Sequence, residues 1–97
     1  MAEKLTGAAR EEALGELPEW SEADGRDAIT RKFQFADFND AFNWMARVAQ
    51  VAEDMDHHPE WFNVWNKVEV TLSTHDAGGL TGLDIALAKK MDELLAE

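Results

Sequence analysis

The chain has no cysteine, only two prolines, and nine Lys and Arg residues against 20 Asp and Glu residues. Without cysteine it can form neither a disulfide framework nor a thiolate metal site. The formal net charge of −11 at pH 7 argues against direct nucleic-acid binding, which depends mainly on Lys and Arg neutralising phosphates. Binding to an anionic membrane surface is disfavoured for the same reason. No apolar run approaches the ~18 residues that a membrane span needs.

What is present describes one globular domain over residues 1–97. Hydrophobic residues make up 45% of the sequence, and low-complexity segments are absent. A chain of this length can bury roughly 60–70% of its unfolded surface without covalent staples. Met1 is followed by Ala-Glu-Lys rather than by an apolar segment, so we expect no secretion signal. The sequence predicts a soluble, cytosolic protein.

Local patterns predict a first helix, a strand and a last helix. The first helix covers residues 7–16, with Thr6 as its N-cap. After a turn at residues 22–25, residues 28–35 alternate with a period of two, which indicates a half-buried strand whose apolar face is broken by Arg31. The last helix begins at Thr81, where Asp84 suits a capping box, and continues to the C-terminus.

The strongest helix signal begins after Asp37, a suitable N-cap, and runs to about residue 54. Its first apolar line consists of Phe38, Ala41, Phe42, Met45, Ala49, Ala52 and Met55. A second line beside it consists of Trp44, Val48, Val51 and Met55. The broad apolar surface has two interpretations: a face for a partner, or a helix that sits deeper in the core.

Residues 62–73 are strand-like, with Val64, Val68, Val70 and Leu72 on one predicted face. They form either one strand or a hairpin split by a turn or bulge at Asn66-Lys67. Strand pairs between helices predict an α+β fold, a four-stranded antiparallel sheet with three helices packed on one face.

All three histidines lie in two short connecting segments, His57 and His58 in one and His75 in the other. Histidine titrates near pH ~6.5 and so can exchange protons at neutral pH. Glu53, one helical turn before His57, and Asp84 could orient imidazoles. Solvated loop histidines are the alternative, but three of them with flanking carboxylates favour a site that supplies a general acid and a general base.

Zinc is a second alternative, since three histidines can hold a catalytic ion. Adjacent histidines diverge, however, and the sequence has no H-x-H or H-x-x-x-H pair. Neither a P-loop nor a G-x-G-x-x-G motif is present. We therefore favour acid–base chemistry without a metal.

Four segments together resemble the pterin-4a-carbinolamine dehydratase family, also known as the dimerisation cofactor of a hepatocyte nuclear homeodomain factor. They are EADGRDAI at 22–29, FADFNDAF at 35–42, DHHPEWFNV at 56–64 and LSTHDAGGLT at 72–81. The resemblance extends over about residues 17–95. It implies dehydration of 4a-hydroxytetrahydropterin to the quinonoid dihydropterin, with no metal or organic cofactor, in support of aromatic amino-acid hydroxylases.

Matching the family's motifs residue by residue implies a set of site residues. His57, His58 and His75 correspond to its acid–base and binding histidines, and Glu53 and Asp84 to its supporting carboxylates. The residues implied to contact the pterin are Pro59, Thr74, Asp76 and Ala77. The chain departs from animal members at Trp65, Ala77 and Thr81, where tyrosine, cysteine and serine are common, but no imidazole is lost.

The resemblance also implies a homotetramer built as a dimer of dimers. It assigns the partner-binding surface to Trp44, Val48, Val51 and Met55, and the strand at residues 68–72 is our candidate for pairing across a twofold axis. In animals the family also binds a homeodomain transcription factor through its long helix. A non-catalytic interaction module is therefore the alternative function, and it would add a nuclear location to the cytoplasmic one.

Overall fold

The computed structural model describes residues 2–95. Its elements are α1 (Gly7–Gly15), β1 (Ser21–Glu22), β2 (Ile29–Gln34), α2 (Phe38–Met55), β3 (Glu60–Val64), β4 (Lys67–Leu72), a 3₁₀ turn (His75–Ala77) and α3 (Gly82–Leu94). Within these residues, three helices accompany a four-stranded antiparallel sheet of order β1-β2-β4-β3. The predicted α+β fold is confirmed. Helix α3 ends at Leu94 with Leu95 as its C-cap, so the predicted continuation is wrong at Leu95, and its remainder falls on residues 96–97, outside the described part.

The core lies between the sheet and the helices that cover one of its faces. Trp44 of α2 is 1% exposed and packs against Phe33 of β2, with ring centroids 4.4 Å apart. Burial of such a side chain contributes ~1.5–3 kcal/mol or more. The core cluster comprises Leu17, Trp20, Ile29, Phe33, Ala41, Trp44, Val48, Ala52, Val68, Val70, Leu72, Leu80, Ile85, Leu87, Ala88 and Met91.

Arg31, the charged residue on the apolar face of β2, is accommodated by two contacts. Its guanidinium lies 4.5 Å from the Phe33 ring centroid and donates to Asp92 of α3 over 2.6 Å. Trp20 Nε1 donates to the same carboxylate over 3.0 Å. The break in the predicted apolar pattern is therefore an ion pair that joins the sheet to α3.

The region after α2 is a hairpin, so the hairpin interpretation is confirmed. Its turn lies at Trp65 and Asn66, and Trp65 has φ +49°. Val64 pairs with Lys67 and is 55% exposed. The prediction that Val64 shares the core face with Val68 is wrong, because the turn changes the register between the two strands. The β4 strand pairs with both β2 and β3, so the prediction that it pairs across a twofold axis is also wrong.

The buried side of α2 differs from the prediction. It consists of Ala41, Trp44, Val48 and Ala52, whereas Phe38 is 45% and Phe42 54% exposed. The assignment of a partner surface to Trp44, Val48, Val51 and Met55 is wrong in its first two members, which are core residues, and the other two pack partly buried against the core. When a helix carries two adjacent apolar lines, the sequence does not show which of them faces the core. That depends on how the helix is rotated about its own axis.

The smaller local features follow the sequence unevenly. Asp37 caps α2 by accepting from the backbone N–H of Asp40 over 2.8 Å, as predicted. Thr6 stands at the N-cap of α1 without a side-chain hydrogen bond. Strand β1 lies where a turn was predicted to begin, because two residues are too short for a detectable period. No helix within residues 2–95 has both the length and the apolar character needed to cross a bilayer.

Candidate active site

The two histidine-containing segments meet at one end of the sheet. Asp56 ends α2 in the left-handed conformation, with φ 52°, and turns the chain toward β3. Since β3 and β4 are antiparallel, the start of β3 lies beside the end of β4, where Glu60 pairs with Thr71. The segments enclose a pocket of about 310 Å³ lined by Asp56, His57, His58, Pro59, Glu60, Ser73, Thr74, His75 and Asp76.

His57 and Asp84 form a buried pair beneath this pocket. The His57 Nε2 atom lies 2.6 Å from Asp84 Oδ1, and the two side chains are 9% and 0% exposed. Asp84 Oδ2 accepts from the Thr74 hydroxyl over 2.8 Å and from the Thr81 backbone N–H over 3.0 Å. A carboxylate has no proton to donate, so the His57 Nε2 atom carries the hydrogen and Nδ1 of the neutral ring is the acceptor.

Asp84 thus has two functions: it orients the imidazole of His57, and it accepts from the backbone N–H of Thr81 at the N-terminus of α3. Thr81 Oγ1 accepts from the Leu83 N–H over 3.2 Å, which completes the predicted capping box of α3. The Thr74 hydroxyl donates its single proton to Asp84, and therefore Thr81 donates to Thr74 across their 2.7 Å contact. The cap of α3 and the orientation of His57 depend on the same hydrogen-bond chain.

His58 has a more exposed carboxylate partner. Its Nε2 atom lies 2.8 Å from Glu53 Oε1, and the two side chains are 58% and 74% exposed. The sequence placed Glu53 one helical turn before His57, but in the structure its partner is His58, five positions along, because α2 ends at Met55 and Asp56 turns the chain. Because solvent competes with exposed pairs of this kind, the contact contributes little to stability.

His75 contacts a carboxylate that the sequence did not single out. Its Nε2 atom lies 3.2 Å from Glu60 Oε2, and Arg26 donates to both Glu60 oxygens over 2.8 Å. The Arg26 guanidinium, with a smaller effect from His75, lowers the pKa of Glu60 to about 2. Glu60 is next to Pro59 in the histidine motif, which is a weak signal. Arg26 gives no signal before the topology of the sheet is known.

The remaining predicted residues are placed as follows. Pro59, Thr74 and Asp76 line the pocket, whereas Ala77 is half-buried in the 3₁₀ turn and is not one of the lining residues. The Thr74 carbonyl accepts from the Gly79 N–H over 3.2 Å, which closes the loop. A Cβ atom on Gly79 would collide with the Asp27 carboxylate, so any larger residue there would have to displace that side chain.

Each imidazole therefore has its own carboxylate, in the pairs His57–Asp84, His58–Glu53 and His75–Glu60. Within residues 2–95 no three His, Asp or Glu side chains converge in a way that could hold a metal ion. One buried and two exposed imidazoles around one pocket can give and take protons at separate points of a bound molecule.

The fold is an open antiparallel sheet covered by helices, and three histidine–carboxylate pairs surround one pocket. Together they describe an α+β protein with a candidate acid–base site. The family model for pterin 4 alpha carbinolamine dehydratase matches residues 3–94. The chain belongs to that family.

Relatives and a solved structure agree with this membership. The chain is 62% identical over 94 residues to a Bradyrhizobium diazoefficiens protein, with 97% of this chain and 94% of that one covered. It is 58% identical over 96 residues to a Burkholderia multivorans protein, with 99% and 94% covered. Both are named "putative pterin-4-alpha-carbinolamine dehydratase". The crystal structure of a Brucella melitensis protein, named transcriptional coactivator/pterin dehydratase, has a TM-score of 0.90 and 53% identity, with 94% and 97% covered.

Proposed function

We propose that this chain is a hydro-lyase that dehydrates 4a-hydroxytetrahydrobiopterin to quinonoid dihydrobiopterin and water. The observation that carries the proposal is the set of three histidine–carboxylate pairs around one pocket. Membership of the dehydratase family supports the choice of substrate. The names of the relatives support the same reaction class.

The proposed reaction needs two proton transfers and no redox change. The C4a–O bond breaks as the lone pair of N5 forms the C4a=N5 double bond, and the hydroxyl leaves as water after it receives a proton. A base removes the N5 proton, so the sum is substrate to product plus water. Histidines meet both needs because their protonated and neutral forms are both available near neutral pH.

The three histidines provide different environments for these steps. His57 is held by a buried carboxylate and has a fixed direction, whereas His58 and His75 stand at the open side of the pocket. We assign proton transfer to His57 and His75 and mainly binding to His58. Pro59 and Asp76 are the proposed pterin contacts, with Asp76 available to accept from the ring's N–H groups. Thr74 acts here through Asp84, since its hydroxyl proton is already donated.

The physiological proposal follows from the substrate. Dehydration regenerates the quinonoid form that is reduced back to tetrahydrobiopterin, so the chain would serve the recycling of this cofactor for aromatic amino-acid hydroxylases. We propose a cytoplasmic location for it. The enzyme itself uses no organic cofactor or metal in this proposal.

A second candidate function is a partner-binding module, alone or in addition to catalysis. Phe38 and Phe42 of α2 are exposed, and their ring centroids lie 5.8 Å apart. They form an aromatic patch outside the core. The Brucella melitensis protein is named a transcriptional coactivator as well as a pterin dehydratase. We propose that this patch contributes to a homotetramer, and that any homeodomain partner would have to use the same helix.

The proposed reaction is tested by following the decay of 4a-hydroxytetrahydrobiopterin with and without protein. The expected result is a rate that rises in proportion to protein concentration above the spontaneous reaction. The variant Phe42→Glu serves as the matched control, because it changes the exposed aromatic patch and lies outside the lining of the histidine pocket. Equal decay with and without wild-type protein would leave the interaction module as the remaining function.

A further inference from the structure

Two charged residues outside the predicted site are connected to His75. Arg26 lies in the connection between β1 and β2, and Glu60 is the first residue of β3. The two terminal nitrogens of Arg26 each lie 2.8 Å from a different oxygen of Glu60. One of these oxygens, Oε2, also lies 3.2 Å from His75 Nε2. Three separate segments of the chain thus meet at one carboxylate.

The bidentate contact sets the orientation of Glu60. A guanidinium and a carboxylate that share two parallel hydrogen bonds lie in a common plane, so the side chain of Glu60 cannot rotate without losing both. Each oxygen then has one remaining acceptor direction. The free direction on Oε2 faces the imidazole of His75.

His75 has the most exposed imidazole of the three histidines. Its side chain is 78% exposed, and Glu60 supplies its one hydrogen bond within residues 2–95. An exposed side chain without a partner samples several rotamers, and ordering it costs conformational free energy. Glu53, the carboxylate partner of His58, makes no bidentate contact with an arginine in the described residues. This difference distinguishes the two exposed histidines.

We propose that Arg26 and Glu60 form a positioning pair that holds the imidazole of His75 against the pocket with its Nε2–H directed at Glu60. The Nδ1 atom of the neutral ring is then left for proton exchange with a bound molecule. This inference rests on the proposed dehydratase function. Neither residue of the pair transfers a proton itself.

The charge of Glu60 supports this arrangement. Since Arg26 lowers the pKa of Glu60 to about 2, the carboxylate stays an acceptor throughout the range in which imidazoles titrate. The other titratable groups that line the pocket with His75 are Asp56, His57, His58 and Asp76. A neutral acid at position 60 could donate instead of accept and would no longer select the Nε2–H tautomer.

The first test is a double-mutant cycle on turnover. Glu60→Ala and Arg26→Gln should each lower kcat roughly 10-fold, less than the ~10²-fold expected for loss of a general acid or base, with little change in KM. In a His75→Ala background the same changes should have almost no further effect, because the residue through which they act is gone. Full additivity of the losses would overturn the proposal.

Glu69→Ala is the matched control. Glu69 lies on the same face of the sheet, pairs with Lys32 over 3.5 Å, and its loss changes the net charge by the same amount. It should leave kcat unchanged. Arg26→Lys should recover part of the activity lost in Arg26→Gln, because an ammonium restores the charge without the two-pronged contact.

The second test does not depend on catalysis. Carbon-13 relaxation of the His75 ring, assigned with His75→Ala, reports its motion in the free protein. The ring should become more mobile in Glu60→Ala and Arg26→Gln but not in Glu69→Ala. If wild-type protein fails to dehydrate the pterin, the proposed function fails while this measurement still decides the positioning role. An equally ordered ring in Glu60→Ala would overturn the inference.

Discussion

The Nε2 atom of His57 lies 2.6 Å from Oδ1 of Asp84, and the aspartate side chain is fully buried. The two residues are 27 positions apart. Asp84 also accepts from Thr74 and Thr81, so its three hydrogen bonds come from the 3₁₀-turn segment, the start of α3 and the loop after α2. A buried carboxylate needs such a set of donors, and removal of one donor leaves part of its charge without a hydrogen bond.

Asp84→Asn should lower both turnover and stability. An amide presents N–H groups where the site supplies donors, so at least one of the present hydrogen bonds is lost at a cost of ~1–3 kcal/mol. Turnover should fall ~10²-fold because His57 loses its orientation. Steady-state kinetics and urea unfolding measure the two effects.

Asp92→Asn is the control for this variant. Asp92 lies on the same helix and pairs with Arg31 and Trp20 away from the pocket. It should destabilise the fold while turnover per folded molecule stays near wild type. Wild-type turnover in Asp84→Asn would contradict a role for Asp84 in orienting His57.

The three histidines should differ when each is replaced by alanine. His57→Ala and His75→Ala are expected to lower kcat by ~10²-fold, the usual effect of losing one general acid or base. His58→Ala should raise KM at least as much as it lowers kcat, because we assign it mainly to binding. Full kinetic curves for the three variants separate these outcomes. Wild-type kcat and KM in all three would show that the pocket is not the site.

Acid should remove the stabilising contribution of Glu60. Its pKa is lowered from 4.5 to about 2 in the folded protein, chiefly by Arg26. The contribution is therefore present above the unfolded-state pKa and is lost as the pH falls through the folded-state value. Urea unfolding between about pH 5 and about pH 2 should show wild type and Glu60→Gln converging as the pH falls. A constant difference across this range would contradict the ion pair.

The aromatic patch on α2 should mediate assembly. Phe42→Glu would place charges at the proposed contact between copies, so light scattering should show a tetramer for wild type and a smaller species for the variant, with unchanged circular dichroism. Gln50→Glu, at an exposed polar position of the same helix, is the control and should leave the tetramer intact. A monomeric wild type would refute the assembly proposal.

Features that depend on neighbouring residues could be predicted from the sequence. The Asp37 cap and the capping box of Thr81 and Asp84 follow from side chains that reach backbone groups within three residues. The histidine pocket was predictable because the motif is specific to a known family. The Glu53–His58 contact was not, because the one-turn spacing pointed to His57 and the left-handed Asp56 that ends α2 lies between Glu53 and its actual partner.

Features that depend on the three-dimensional arrangement were not predictable. Trp44 and Val48 face the core because of the rotation of α2, which two adjacent apolar lines leave undetermined. Arg26 reaches Glu60 across 34 positions of sequence, and no local pattern joins them. The inner position of β4 in the sheet was not predictable either, because it depends on the hairpin turn at Trp65.

The most direct measurement is the rate of 4a-hydroxytetrahydrobiopterin dehydration by exhaustively chelated wild-type protein, compared with His57→Ala at the same concentration. Chelated wild type should accelerate the reaction as well as untreated protein does, and the variant should lose about two orders of magnitude in rate. A chelated protein that is inactive until zinc is added would contradict it, and so would wild-type activity in His57→Ala.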